Sequence, residues 1–365
     1  MEKVKKGRMI LLSKTEHVAI DLGYGFVKGI SSKGKRILFP SIVGTGFDGA
    51  LNIDEMFGTG GKNDLSNILV NYQSEDYFVG ELAKESRAPS RIYDQERFRH
   101  EYTRILMNVA IQLLTEGRTD NVNVTTGLPL SFYSSQAKEF QQTLIGEQPS
   151  VRWKSGSLLG ETFNSNINNA LILPQGASAI YAAILNSEGK FAYPHLMDEG
   201  IRVGLIDIGY RTTDFVVVEM RDDKGGFDPV ISLTDTIDEG VSNLDLEIEQ
   251  RFKDKTGGTE MNENQRTRIL RGVNVSHKGK RFDFTEDVLN SKKSISTNIA
   301  DRLKSFWGKQ SDGFDAIFLA GGGGKEFEEF LQPHFDNRLD LIKENQFANS
   351  IGYLRFGKGY FQNKE

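Results

Sequence analysis

The sequence predicts an α/β chain built as two similar halves that face one another, and three observations lead there. Residues 203–218 read VGLIDIGYRTTDFVVV, in which apolar, mostly β-favouring runs at 203–208 and 215–218 flank a short polar turn, the pattern of a buried β-hairpin. Residues 18–30, VAIDLGYGFVKGI, repeat the design, so that the tips DLGYG and DIGYR are near copies separated by most of a domain. A buried-type strand at 316–320 then runs into Gly321, Gly322, Gly323 and Gly324 ahead of a helix.

The hairpins carry chemistry as well as shape. An acidic side chain at a strand end, Asp21 or Asp207, can hold a hydrated Mg²⁺. Glycines at the tips, Gly23, Gly25 and Gly209, let backbone N–H groups come close to phosphate oxygens, and the hydroxyls of Thr212 and Thr213 add donors. Together these suit a nucleoside triphosphate lying between the halves. One Asp-x-Gly hairpin alone is ordinary turn punctuation; the second copy is what carries the inference. The four glycines leave a place where a flat or anionic ligand can approach the backbone.

Composition narrows the classes. The 365 residues suffice for two ordinary domains, and 38% hydrophobic with 26% charged residues describes a globular protein. A net charge of −5 gives no broad electrostatic footprint for nucleic acid. Cysteine is absent, which excludes disulfides, thiolate zinc sites and a cysteine nucleophile and fits the cytoplasm. The start, MEKVKKGRMILLSKTEH, is basic, and its apolar run at 9–12 is too short for a signal-peptide core or a membrane span; a solvated extension over 1–16 is expected.

In chain order, strand character resumes at 36–42 and gives way to a Gly-, Asn- and Asp-rich stretch at 44–67, expected as a mobile surface insertion. A strand is expected at 72–79, then a helix over 94–114 whose Phe98, Tyr102, Ile105, Val109 and Leu113 share a face. Residues 121–126 read as a strand, 131–144 as a helix and 156–173 as paired short strands. The small-residue helix at 178–185 allows close packing and could connect two domains. Beyond the second hairpin, 235–240 leads into a helix buried through Val241, Leu244, Ile248 and Phe252, and the polar and basic stretches at 253–271 and 276–281 suggest a small peripheral subdomain. A helix over 285–307 places Lys292 among apolar positions, either as a lysine whose stem lies on the core edge or as a donor to the ligand. Small residues at 345–354 suit a helix packed under the first half.

Taken together, these pieces resemble the actin-type ATPase superfamily over about 17–357, and most of all the bacterial plasmid-segregation actins of the ParM/StbA type. The motifs that carry the resemblance are TTGLPLSFY (125–133), YFVGELA (77–83), LIDIGYRTTDFVVVE (205–219), EGVSNLDLEI (239–248) and FLAGGGGKEF (318–327). The resemblance implies an actin-like two-domain fold, each domain RNase H-like with a mixed sheet and flanking helices and a nucleotide cleft between them. It divides the chain into domain I (17–174 with 344–365) and domain II (175–343, with the subdomain around 240–290). It also implies ATP, with GTP the alternative, and Mg²⁺ held through water by Asp21 and Asp207. The turn of Gly23, Tyr24 and Gly25 with Lys28 would meet the β-phosphate. Gly209, Thr212 and Thr213 would bind the β/γ-phosphates, Gly321 to Gly324 would lie along the adenosine, and Gly240 and Lys292 would join the nucleotide site. Gln175 would orient the attacking water; a neutral amide cannot take the proton, so positioning and charge stabilisation must dominate. The chain departs from the pattern where relatives often place Glu at Gln175, and where Tyr210 and Arg211 replace a glycine and a small residue.

The resulting expectation is a cytoplasmic, filament-forming ATPase that segregates plasmid DNA: ATP favours assembly, hydrolysis weakens subunit contacts, and a DNA-binding adaptor protein links filament to cargo without direct nucleic-acid or membrane binding. The insertion at 44–67 is a candidate filament contact. Two alternatives share the pocket: a non-polymerising scaffold or chaperone-like ATPase, and a small-molecule kinase, for which no acceptor signature stands in the sequence.

Overall fold

The computed structural model describes residues 15–46, 65–92, 96–188, 190–196, 198–221 and 227–362. Most of the basic extension (1–14) and of the 44–67 insertion (47–64) lies outside the described residues.

The first domain begins with an antiparallel meander, β1 (Glu16–Leu22), β2 (Phe26–Ser31) and β3 (Arg36–Pro40). β4 (Val43–Thr45), β5 (Ile68–Tyr72), β6 (Glu75–Val79) and β7 (Ala88–Ser90) leave it for a second sheet. Helix α1 (Glu101–Thr115) leads to β8 (Val122–Leu128), which pairs parallel with β1, and α2 (Leu130–Leu144) follows. After β9 (Gly146–Glu147), β10 (Val151–Trp153) and β11 (Thr162–Phe163), β12 (Asn166–Pro174) pairs parallel with β8. The main sheet runs β3-β2-β1-β8-β12-β9 and the smaller one β11-β10-β5-β6-β4-β7.

Helix α3 (Ala177–Ile184) crosses to the second domain, where the design recurs. β13 (Arg202–Ile208), β14 (Thr213–Met220) and β15 (Phe227–Pro229) form an antiparallel meander, with β16 (Asp235–Ile237) beside β14. Then come α4 (Val241–Thr256), α5 (Glu263–Leu270), the hairpin β17 (Val275–His277) and β18 (Lys280–Phe282), and α6 (Thr285–Trp307). β19 (Ala316–Ala320) pairs parallel with β13, α7 (Gly324–Leu331) follows, β20 (Leu339–Leu341) pairs parallel with β19, and α8 (Ala348–Gln362) returns to the first domain. The order β15-β14-β13-β19-β20 matches β3-β2-β1-β8-β12 strand for strand.

The uninterrupted apolar runs of β13, β14 and β19 follow from burial on both faces. Ile206, Ile208, Phe215, Val217, Ile317 and Leu319 point into a core with α4, α6 and α7. Their neighbours Val203, Leu205, Val216, Val218, Phe318 and Ala320 point to the other face, where α3 and the start of α8 cover them. α8 also packs on β1 and β8, and its Tyr353 clusters with Ala19 of β1 and Leu173 of β12. A helix pair, α3 with α8, therefore fills the space between the two sheets.

Three local expectations are corrected. The strand expected at 72–79 is the β5–β6 hairpin, because Gln73 and Ser74 adopt φ of +50° and +72°, the left-handed conformation a two-residue hairpin turn needs. The paired short strands expected at 156–173 are not partners: β11 pairs with β10, and β12 is a core strand against β8. Helix α1 starts at Glu101, after a single 3₁₀ turn at Arg97–Arg99. The basic hairpin and α5 add Met261, Ile269, Val275 and Phe284 to the same core as Leu244 and Ile248, so this appendage extends the second domain's core.

Candidate functional site

The β1–β2 and β13–β14 hairpins point their tips at one another across a cleft of about 780 Å³, within the range of small-ligand sites. Asp21 closes β1 and Asp207 closes β13, and both residues are buried, at 3% and 6% exposure. Lys28, directly across the ladder from Asp21, donates from Nζ to Asp21 Oδ2 at 3.3 Å. Gln175, at the crossing into α3, donates from Nε2 to Asp21 Oδ1, also at 3.3 Å. Two carboxylates, an ammonium and an amide thus meet where the halves face.

Gly176 fixes that crossing. It takes φ +74° and ψ −68° while Ala177 N–H donates to Gln175 O at 2.9 Å, the geometry of a γ-turn that residues with a Cβ seldom adopt. The Gly176 N–H donates to Asn349 Oδ1 at 3.1 Å, and Asn349 Nδ2 donates to Asp207 Oδ2 at 2.8 Å. One amide on α8 therefore ties the Gln175 turn to the second hairpin's carboxylate.

Across the ladder from Asp207 stands Asp214, which also lines the cleft and accepts from Thr236 Oγ1 at 2.7 Å. Burial, then the neighbouring Asp207, push the Asp214 carboxyl up to about 7. Burial raises Asp207 too, opposed by the Lys28 ammonium and the Asn349 bond. Carboxylates held this close disfavour one another's charge and favour a cation. Among the described residues no three His, Cys, Asp or Glu side chains cage a metal ion directly. The donor set fits Mg²⁺, which keeps its waters and takes one or two carboxylates beside substrate phosphates.

Of the residues expected from sequence, Asp21, Gly23, Tyr24, Gly25, Lys28, Gln175, Asp207, Gly209, Thr212 and Gly322 line the cleft. The others stand behind it. Thr213 is fully buried and its hydroxyl donates to Glu239 O at 2.7 Å, because adjacent strand residues face opposite ways and Thr212 takes the cleft side. The Lys292 ammonium pairs with Glu326 on α7. Gly240 lies under the second tip, where a methyl group would come within 2.7 Å of Tyr210 O. Gly321 packs against Ile208 and Asp207 and Gly323 against Ile208 and Val241, so two of the four glycines admit close packing around β13, while Gly324 lies at ordinary contact distance from Asn345, Leu319 and Leu341. Arg211 is exposed at the cleft's rim.

Sequence reasoning places Asp214 at the second tip without giving it a role, and passes over Asn349, the first turn of α2 (Pro129, Leu130, Ser131) and the wall at Ile231 and Thr234 to Thr236. For Asp214 a signal existed, since it stands in the second hairpin where Lys28 stands in the first. For Asn349 there was none.

The comparisons agree with this architecture. Residues 19–177 match the model for the N-terminal domain of actin-like proteins, and residues 205–333 match the C-terminal model of the archaeal actin homologue MreB-like family. Over 350 residues the chain is 24% identical to an archaeal actin homolog of Thermoplasma acidophilum, covering 92% of this chain and 97% of that protein. It is similar to the subunit of a 15-stranded ParM filament from Clostridium botulinum at 31% identity and TM-score 0.80, covering 95% of this chain and 99% of the other. An archaeal actin homolog in complex with ADP shares the fold at 20% identity and TM-score 0.74, over 94% of this chain and 99% of the other. Facing hairpins on a repeated strand order, both domain models and a 31% identical ParM subunit along nearly its whole length together show that the chain belongs to the actin-like ATPase superfamily, within its ParM-type actins.

Proposed function

We propose that the chain is a Mg²⁺-dependent ATPase that assembles into filaments with ATP, loosens them on hydrolysis and segregates plasmid DNA in the cytoplasm through a DNA-binding adaptor protein. The observation that carries the reading is the meeting of Asp21, Lys28, Gln175 and Asp207 between the hairpin tips. Lys28 and the N–H groups of both tips hold the phosphates. Asp21 and Asp207 would hold Mg²⁺ with its waters, and Asp214 would add a third carboxylate near it. Bound there, Mg²⁺ would neutralise charge on the phosphate oxygens. Gln175 donates one amide hydrogen to Asp21, which leaves its carbonyl oxygen to accept from, and so aim, the attacking water. The ADP complex of one relative and the filament formed by another support nucleotide and self-association as the ligands of this chain.

Light scattering of the purified protein after adding ATP and Mg²⁺, with released phosphate followed in the same cuvette, tests the reading. Scattering should rise and then decay as phosphate appears. Phosphate release with flat scattering over a wide range of protein concentration would replace it with a non-polymerising ATPase, and ADP formed only with an added acceptor, without free phosphate, would point to a kinase. The same run with GTP decides the base.

A further inference from the structure

We propose that Tyr210 clasps the two hairpin tips together across the mouth of the cleft, and that this contact sets how fast nucleotide leaves; the inference rests on the nucleotide reading above. A methyl group placed on Gly25 would lie 2.7 Å from Tyr210 Cβ and 3.0 Å from Cγ, so the first tip's bare backbone rests on the root of the second tip's ring. Just beyond β7, Arg91 donates from Nη1 to the carbonyl oxygens of Tyr24 (3.1 Å) and Gly25 (2.9 Å). The same guanidinium sits 5.4 Å from the centroid of the Tyr210 ring. On the second domain's side, the Tyr210 hydroxyl donates to Asp245 Oδ2 at 2.9 Å on α4.

The ring is thus anchored to its own domain at the hydroxyl and wedged against the other domain along its flank. Tyr24, Gly25, Tyr210 and Arg211 all line the cleft, so the clasp closes the space between the hairpins. A ligand gripped by both tips leaves when they part, and parting strips the ring from Gly25 and Arg91. Glycine at position 210 would supply neither the wedge nor the cation–π surface. Because Arg91 follows β7, the clasp also joins the smaller sheet to the phosphate hairpins. Tyr210 and Arg91 are therefore positioning residues, acting on the hairpins and not on the reacting atoms.

The test is stopped-flow release of a fluorescent ADP analogue, chased with excess ADP, from wild type, Tyr210→Gly, Arg91→Ala, Tyr210→Phe and the Tyr210→Gly/Arg91→Ala double variant. Each of the first two variants should release the analogue ~10-fold faster, since contact changes act mainly on dissociation. The double variant should match Tyr210→Gly alone, because both changes break one coupled contact. Tyr210→Phe keeps the wedge and should stay within about twofold of wild type, which separates the ring's role from that of its hydroxyl. Should Tyr210→Gly fail to fold, Arg91→Ala against wild type still decides. Unchanged release in the folded variants, or rate effects that multiply in the double variant, overturns the clasp alone. A wild type that takes up no analogue overturns the nucleotide reading, and the clasp's role with it.

Discussion

The two hairpins that face one another across the cleft share strand order and tip register, yet they place opposite charges at the same step of the ladder. In β1–β2 the residue across from Asp21 is Lys28, 3.3 Å away in an ion pair; in β13–β14 the residue across from Asp207 is Asp214. One hairpin pairs its acid with a lysine; in the other, burial and then Asp207 push the Asp214 carboxyl up. On the proposed reading, a repeated frame is divided between a side that would hold anion and a side that would hold cation. Lys28 serves both, since its ammonium also opposes the rise at Asp207.

Removing the cation paired with Asp21 should break the comparison most severely. Lys28→Ala leaves Asp21 and Asp207 facing the phosphates without compensation. ATP affinity measured by titration calorimetry should fall on the order of 100-fold, about 3 kcal/mol for a charge-assisted contact. Affinity within threefold of wild type would remove Lys28 from the phosphate site. Gln175→Ala acts between the hairpins: phosphate release should slow roughly 30-fold, about 2 kcal/mol of barrier, with ATP binding little changed. Loss of binding would make Gln175 a structural residue that holds Asp21.

How much of this asymmetry was legible in the sequence depends on the kind of signal. Strands buried on both faces announce themselves as apolar runs, so both hairpins, Asp21 and Asp207 could be read directly, and the apolar face of α6 set its bounds at Thr285–Trp307. The face a strand residue takes needs the register, which is why Thr213 and Thr212 could not be told apart and Asp214, though visible at the tip, received no role. Gly321 and Gly323 are explained by packing against Ile208, Asp207 and Val241 as much as by a ligand, and only Gly322 of the four lines the cleft. Gln73 and Ser74 turn a hairpin without the glycine or asparagine that marks one. Asn349 reaches Asp207 from near the chain's end, a juxtaposition made by the helix pair between the sheets.

Asp214→Asn sharpens the comparison by removing one of the paired acids. An acid whose folded pKa is raised favours the native state less as pH climbs, since the unfolded chain ionises near pH 4 and the folded group only near 7. Wild-type stability should therefore decline between those values, and Asp214→Asn should not share that decline. The variant's gain in the nucleotide-free protein should be absent at pH 4 and reach about 1–2 kcal/mol at pH 8, allowing for water in the cleft. Urea unfolding at the two pH values measures it. A pH-independent difference would show that Asp214 ionises freely and that the two hairpins are electrostatically alike.

The smallest effect expected lies beneath both hairpins, on α8. Tyr353 is fully buried, its hydroxyl has no hydrogen-bond partner among the described residues, and its phenol is raised well above the usual range, first by burial and then by Asp21, Asp207 and Asp214. Its phenol feels the carboxyls of both hairpins. A hydroxyl buried without a partner costs its desolvation, so Tyr353→Phe should stabilise the fold by about 1 kcal/mol and leave ATP affinity unchanged. If the variant instead loses stability together with affinity, the hydroxyl links the two acidic sites, and the hairpins are coupled through the helix below as well as across the cleft between their tips.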